Sequence, residues 1–127
     1  MFLLNIAFGN SDNHGRNTAF LRNQNRIWLA PIYDFAPMKA DPEGIPRTTM
    51  WDSKGHPALE LGGEYRFDLI AEQLDDLCPA DKLLDALRQT AQQLVGLKAR
   101  LEARGVPTAI LTYPSISLDY LPEKLKR

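Results

Sequence analysis

A mainly α-helical domain carrying one small β-hairpin is predicted by three features of the sequence. The second half repeats apolar residues at helical spacing: Phe67, Ile70, Ala71, Leu74 and Leu77 form one stripe, and Leu83, Leu84, Leu87, Ala91, Leu94 and Leu101 a longer one ending near Gly105. In the first half, two short apolar runs, Thr18 to Leu21 and Ile27 to Ile32, flank the turn-forming Asn23-Gln24-Asn25. Between these regions Pro37, Pro42, Pro46 and Pro57, with Gly44 and Gly55, forbid a long helix or a central strand.

Taken in order, the elements are as follows. Phe2, Leu3, Ile6 and Ala7 recur at helical spacing and Gly9 supplies a stop, the pattern of the last turns of a helix rather than of a domain's beginning. A polar loop follows, then the hairpin, whose strands should lie about 4.8 Å apart. A tight reversal at Asn23-Gln24-Asn25 is expected to set Asn17 and Asp34 nearly opposite one another. The proline-rich stretch reads as a structureless segment of functional interest, with Thr48, Thr49 and Ser53 as candidate phosphoacceptors. The first stripe stops before Pro79, and the single cysteine, Cys78, reads as a small apolar filler at a helix end. On the second stripe, Asp81 and Asp85 near the start and Lys98, Arg100 and Arg104 near the end complement a helix dipole. The tail from Val106 to Arg127 is broken by Pro107, Pro114 and Pro122 and is expected to be an extended strap ending in a short basic turn.

Chemistry concentrates in Gly9-Asn10-Ser11-Asp12-Asn13-His14-Gly15-Arg16-Asn17 and, after the hairpin, in Ala30-Pro31-Ile32-Tyr33-Asp34-Phe35. Asp12 and Asn17 have the spacing at which one side chain faces a substrate hydroxyl and the other a metal-bridged phosphate. Asn17 and Asp34, brought together by the hairpin, could share one Mg²⁺, which favours a few carboxylate or amide oxygens plus nucleotide phosphates over a closed protein cage. Arg16, four residues after Asp12, is placed to offset charge on a transferring phosphoryl group. His14 either braces the loop or contacts phosphate. Singly, each residue has a plainer role, since Asn10 and Asp12 favour turns and caps, Asn17 can start a strand and His14 can be structural. The joint spacing favours the phosphotransfer site. His56, in the proline-rich stretch, is assigned no function.

The order Asp-x-His-x-x-Asn, the run Leu29-Ala30-Pro31-Ile32-Tyr33-Asp34 and the stretch Leu59-Glu60-Leu61-Gly62-Gly63-Glu64 resemble the C-terminal lobe of the HipA family, bacterial serine/threonine kinase toxins of toxin–antitoxin modules with phosphoinositide-kinase-like loops. The likeness covers roughly residues 3 to 105. It implies a helical C-terminal kinase lobe in which the hairpin carries the catalytic loop and metal site, as one domain over residues 1–127. It further implies Asp12 as catalytic base or hydroxyl-orienting group, Asn17 and Asp34 as magnesium ligands, ATP as phosphoryl donor and a protein substrate. In the family such substrates include aminoacyl-tRNA synthetases, and a helix-turn-helix antitoxin binds the kinase. Asp34-Phe35-Ala36 stands where many kinases have Asp-Phe-Gly, which keeps the metal ligand.

No glycine-rich phosphate loop, strand lysine or helix glutamate lies ahead of Asp12. The expectation is therefore of a half-site, with an N-terminal kinase lobe as its missing partner, weak Mg-ATP binding and no phosphate transfer by these residues alone. A rival of a different class is a non-catalytic kinase lobe that binds a partner. A small-molecule phosphotransferase of the aminoglycoside-kinase type fits less well, because its His precedes the Asp. A zinc hydrolase would need three protein ligands, and the chain has only His14 and His56.

Composition narrows the class further. The 127 residues include 15 basic and 16 acidic side chains, a balance without the basic footprint of a nucleic-acid binder. One cysteine precludes an internal disulfide and fits a reducing compartment. No apolar run approaches the roughly 20 residues of a membrane span, and Phe2-Leu3-Leu4 lacks the flanks of a signal peptide. A cytoplasmic location is expected.

Overall fold

The computed structural model describes residues 2–51 and 58–118 together with Leu121 and Leu125. Ser53, Gly55, His56, Pro57 and Pro122 lie outside the described residues, as does most of the anticipated basic turn. The described elements are α1 (Phe2–Phe8), β1 (Phe20–Arg22), β2 (Ile27–Leu29), β3 (Glu60–Leu61), β4 (Glu64–Tyr65), α2 (Phe67–Gln73), α3 (Ala80–Gln93), α4 (Leu97–Glu102) and α5 (Thr108–Leu111). They fall into two compact units, Met1–Thr49 with Leu97–Leu118 and Met50–Gly96 with Asp119–Arg127.

In the first unit, α1 is short and ends in a Schellman closure. Gly9, at φ +66°, donates its N–H to the Ile6 carbonyl at 3.2 Å, and Asn10 donates to the Asn5 carbonyl at 2.9 Å. The same two asparagines are joined again by side chains, Asn10 Nδ2 to Asn5 Oδ1 at 3.0 Å, and both are buried. Gly9 admits no side chain: a Cβ there would lie 2.9 Å from Ile116 Cγ1, and its φ is one that other residues avoid. Leu3, Ala7, Leu97, Leu111 and Leu118 form the buried apolar core of this unit. Phe8 meets Phe35 edge to face at 5.5 Å between ring centres.

β1 and β2 pair antiparallel, Phe20 with Leu29, Leu21 with Trp28 and Arg22 with Ile27. The reversal is held by Asn23 N–H to the Arg26 carbonyl and by Asn25 N–H to Asn23 Oδ1, each at 3.0 Å, so the asparagine side chain substitutes for a backbone turn bond. The hairpin is largely exposed. Phe20, Ile27 and Leu29 share one face and remain 51–66% accessible.

The proline-rich stretch has more order than its composition suggests. A 3₁₀ turn occupies Met38–Ala40, and Asp41 organises the next bend by accepting the Glu43 N–H on Oδ1 at 2.8 Å. The tail also differs from the expected strap: α5 follows Pro107, and Leu111 and Leu118 are buried. Four helical residues are too few to show a period in the sequence.

In the second unit, Gly62 and Gly63, at φ +59° and +82°, turn β3 into β4 as a two-residue hairpin of the mirror-image type. Arg66 N–H to the Leu59 carbonyl at 2.9 Å extends the pairing. Ile70 and Ala71 of α2 are buried, but the helix stops at Gln73 and Leu77 is 83% exposed, so Leu77 does not belong to the apolar stripe. Leu59, Ala91, Leu94 and Leu121 complete the buried set of this unit. α3 begins after Pro79, and Asp75 Oδ1 reaches forward to accept the Ala80 N–H at 2.8 Å, which satisfies one of the helix's unpaired donors. The long stripe is not one helix. It closes at Leu94 and restarts at Leu97, which places Lys98 at the start of α4 rather than near a helix end.

Candidate functional site

The loop from Gly9 to Asn17 lies wholly in the first unit, and almost every residue in it is fixed by a hydrogen bond. Gly9 offers its carbonyl to the Lys39 N–H at 2.9 Å. Ser11, 3% exposed, donates its hydroxyl to the Ile45 carbonyl at 2.6 Å. The Asp12 carbonyl accepts Asn17 Nδ2 at 2.7 Å, and the Asn13 carbonyl accepts the Thr49 hydroxyl at 2.8 Å. A single 3₁₀ turn, Gly15–Asn17, then feeds the chain into β1, with Asn17 N–H bonded to the His14 carbonyl at 3.0 Å. The Arg16 carbonyl accepts the Tyr33 hydroxyl at 2.6 Å.

Backbone carbonyls are thus consumed in anchoring the loop, while the Asp12 carboxylate stays one-third exposed. The neighbouring ionisable side chain is His14, whose Nε2 lies 3.4 Å from Asp12 Oδ1. His14 Nδ1 is buried and meets no hydrogen-bond partner among the described residues. The imidazole therefore addresses the carboxylate itself, and its loop-bracing contribution runs through its backbone carbonyl.

Asn17 joins the site by its own amide. Nδ2 is committed to Asp12, which leaves Oδ1 as the oxygen available to a cation. Asp34 is exposed and holds φ +51°, the one described non-glycine residue in the left-handed region. The ladder continues outward through Ala30 N–H to the Ala19 carbonyl at 2.9 Å. Asn17 and Asp34 lie on the two segments that flank the open end of the hairpin. Arg16, next to Asn17 in sequence, is exposed.

Among the described residues, no three His, Cys, Asp or Glu side chains converge as a metal cluster. A pair of oxygens, one amide and one carboxylate, is a donor set that suits Mg²⁺ with its retained waters and phosphates and is too sparse for zinc. Sequence reasoning did not anticipate the anchoring roles of Ser11 and Tyr33, nor that Thr49 ties into the loop. Each bond spans at least 17 residues, and no local pattern announces it.

No helix among the described residues is long and apolar enough to cross a membrane. Neither the curated proteins nor the solved structures contain a match to this chain. The model of the family described as HipA-like C-terminal domain matches residues 1–97, which include the whole loop, the hairpin and both hydrogen-bonded partners in the segment 45–49. On that match, the chain belongs to the HipA-like C-terminal domain family.

Proposed function

We propose that this chain provides the base-and-metal half of an ATP-dependent serine/threonine phosphotransfer site in a HipA-like toxin kinase. The observation that carries the reading is the junction of Asp12 and Asn17: one hydrogen bond ties the amide of the metal-ligand candidate to the backbone of the base candidate. In this reading Asp12 orients the attacking serine or threonine hydroxyl of a protein substrate and takes its proton. His14, against the carboxylate, fixes its rotamer. Asn17 Oδ1 and the Asp34 carboxylate would hold Mg²⁺, which when bound neutralises charge on the bridging phosphate oxygens. Arg16 is available to the transferring phosphoryl group. The family suggests an aminoacyl-tRNA synthetase as substrate and a helix-turn-helix antitoxin as partner, in the cytoplasm.

The test is a pair of substitutions in a form of the protein that also carries a nucleotide-cradling lobe. Asp34→Ala should weaken Mg-dependent ATP binding, measured by calorimetry, and abolish transfer. Asp12→Asn should leave nucleotide affinity within a few-fold and lower the rate by about 10²-fold or more. Loss of ATP binding in Asp12→Asn, with Asp34→Ala unaffected, would reverse the assignment.

One observation favours a second reading, a lobe that binds a partner without catalysis. The exposed apolar face of Phe20, Ile27 and Leu29 has no cover among the described residues. Absence of phosphate transfer by the wild-type residues, even with a nucleotide-cradling lobe present, would favour that alternative.

A further inference from the structure

Asp12 is bracketed by two hydrogen bonds to one short segment. On one side of it Ser11 donates to the Ile45 carbonyl at 2.6 Å, and on the other the Asn13 carbonyl accepts from Thr49 at 2.8 Å. Segment 45–49 forms neither helix nor strand. These bonds therefore do not extend a ladder but pin the loop on both sides of a single residue. The two pins differ in environment. Ser11 is almost fully buried, so releasing its hydroxyl would leave a polar group without solvent. Thr49 is exposed, so water can replace the Asn13 carbonyl as its partner. One end is a fixed hinge and the other a latch that can open.

We infer that segment 45–49 is a clamp on the catalytic loop and that Thr49, through its hydroxyl, is a positioning residue for Asp12. The inference deepens the proposed function and rests on its reading of Asp12. With the latch closed, the Asn13 carbonyl is held as well as the Ser11 side chain and the Asp12 carbonyl, so the backbone around Asp12 is fixed at three points and the carboxylate keeps its direction. With the latch open, the loop is still held at Ser11 and at the Asp12 carbonyl, but the Asn13 peptide is free to turn and the carboxylate samples a wider range of directions. Misplacement of a catalytic group by about 1 Å can cost on the order of 10²-fold in rate. Mg-ATP binding would suffer less than transfer, because Thr49 bonds directly to Asn13 and the Asn17 side chain keeps its own bond to the Asp12 carbonyl.

Thr49→Val keeps the shape and removes the donor, whereas Thr49→Ser keeps the donor. Amide hydrogen exchange on the 127-residue chain should show residues 12–17 exchanging at least about 10-fold faster in Thr49→Val, with β1 and β2 unchanged, and within a few-fold of wild type in Thr49→Ser. In a form of the protein that turns over ATP, Thr49→Val should lower kcat by about 10-fold or more at unchanged KM for Mg-ATP, and Thr49→Ser should restore it. Wild-type exchange in Thr49→Val, equal acceleration in both variants, or an effect on KM alone would overturn the clamp. Asp12→Asn serves as the separate control: if it retains full turnover, the reading of Asp12 as base fails, while the exchange data still decide whether the latch exists.

Discussion

The Asn17 side-chain amide donates to the Asp12 backbone carbonyl at 2.7 Å, so the two residues assigned to opposite halves of the chemistry share one hydrogen bond. In the proposed site each polar atom of Asn17 would have a separate task, the nitrogen toward the loop and the oxygen toward a cation.

Substitutions at Asn17 should separate those tasks. Asn17→Asp keeps an oxygen for Mg²⁺ but replaces the donor with a carboxylate facing a carbonyl. Mg-ATP affinity should be kept or raised, while the rate falls by about 10-fold or more through a displaced Asp12. Asn17→Ala should lose both. Titration calorimetry with Mg-ATP, beside single-turnover transfer, reads the two effects independently; equal behaviour of the variants would show that the hydrogen bond is unimportant.

Asp34 pays for its left-handed backbone with strain, and the strain can be measured apart from the charge. Asp34→Gly relieves it, and Asp34→Ala does not. Both remove the carboxylate, so both should lose Mg²⁺, yet unfolding free energies from urea melts should rank the glycine variant above the alanine one by about 1 kcal/mol. Identical free energies would mean that the conformation is not held in solution.

Gly9 should tolerate nothing larger. Gly9→Ala forces an unfavourable φ and meets Ile116 Cγ1 at 2.9 Å, so a loss of about 1–3 kcal/mol is expected in urea unfolding. Near-wild-type stability would mean that the Schellman closure relaxes freely.

In the second unit, Asp75→Ala removes the acceptor for Ala80 N–H and should cost about 1 kcal/mol, the usual scale for a helix N-terminal cap. Asp75→Asn should recover most of it, since an amide oxygen accepts as well. A null effect in the alanine variant would show that solvent replaces the carboxylate without cost.

The exposed face of Phe20, Ile27 and Leu29 predicts self-association as concentration rises. Light scattering over a dilution series should show it, and Phe20→Ser with Ile27→Thr should reduce it. A monomer at every concentration, unchanged by the double substitution, would remove this expectation.

What the sequence revealed follows the range of the interactions involved. The first hairpin was legible because Asn23, Gln24 and Asn25 carry local turn chemistry, and the stop at Gly9 was legible because helix closure is also local. Gly62-Gly63 carried an equally local signal, two residues between short strands, that the family resemblance overshadowed. The apolar stripe from Leu83 to Leu101 concealed a break, since Leu94 and Leu97 are both buried and periodicity alone passes through the turn between them. Leu77 was misplaced because an apolar residue in register with a stripe can still lie beyond the helix end. Within the site, residue types and spacing were visible, but the anchoring bonds from Tyr33, Ile45 and Thr49 were not: they join positions 17 to 36 residues apart.

The unit that contains the loop is assembled from two separated stretches of chain, the second being Leu97–Leu118. The family match stops at residue 97, yet Leu111 and Leu118 are buried in this unit and Ile116 sits against Gly9. On the ribosome, residues 2–49 therefore emerge well before the segment that packs beneath their loop. Asp12 is synthesised before Ile116 and Leu118, so its setting is finished only after they emerge. Such late closure leaves an interval in which the nascent chain exists without a completed site.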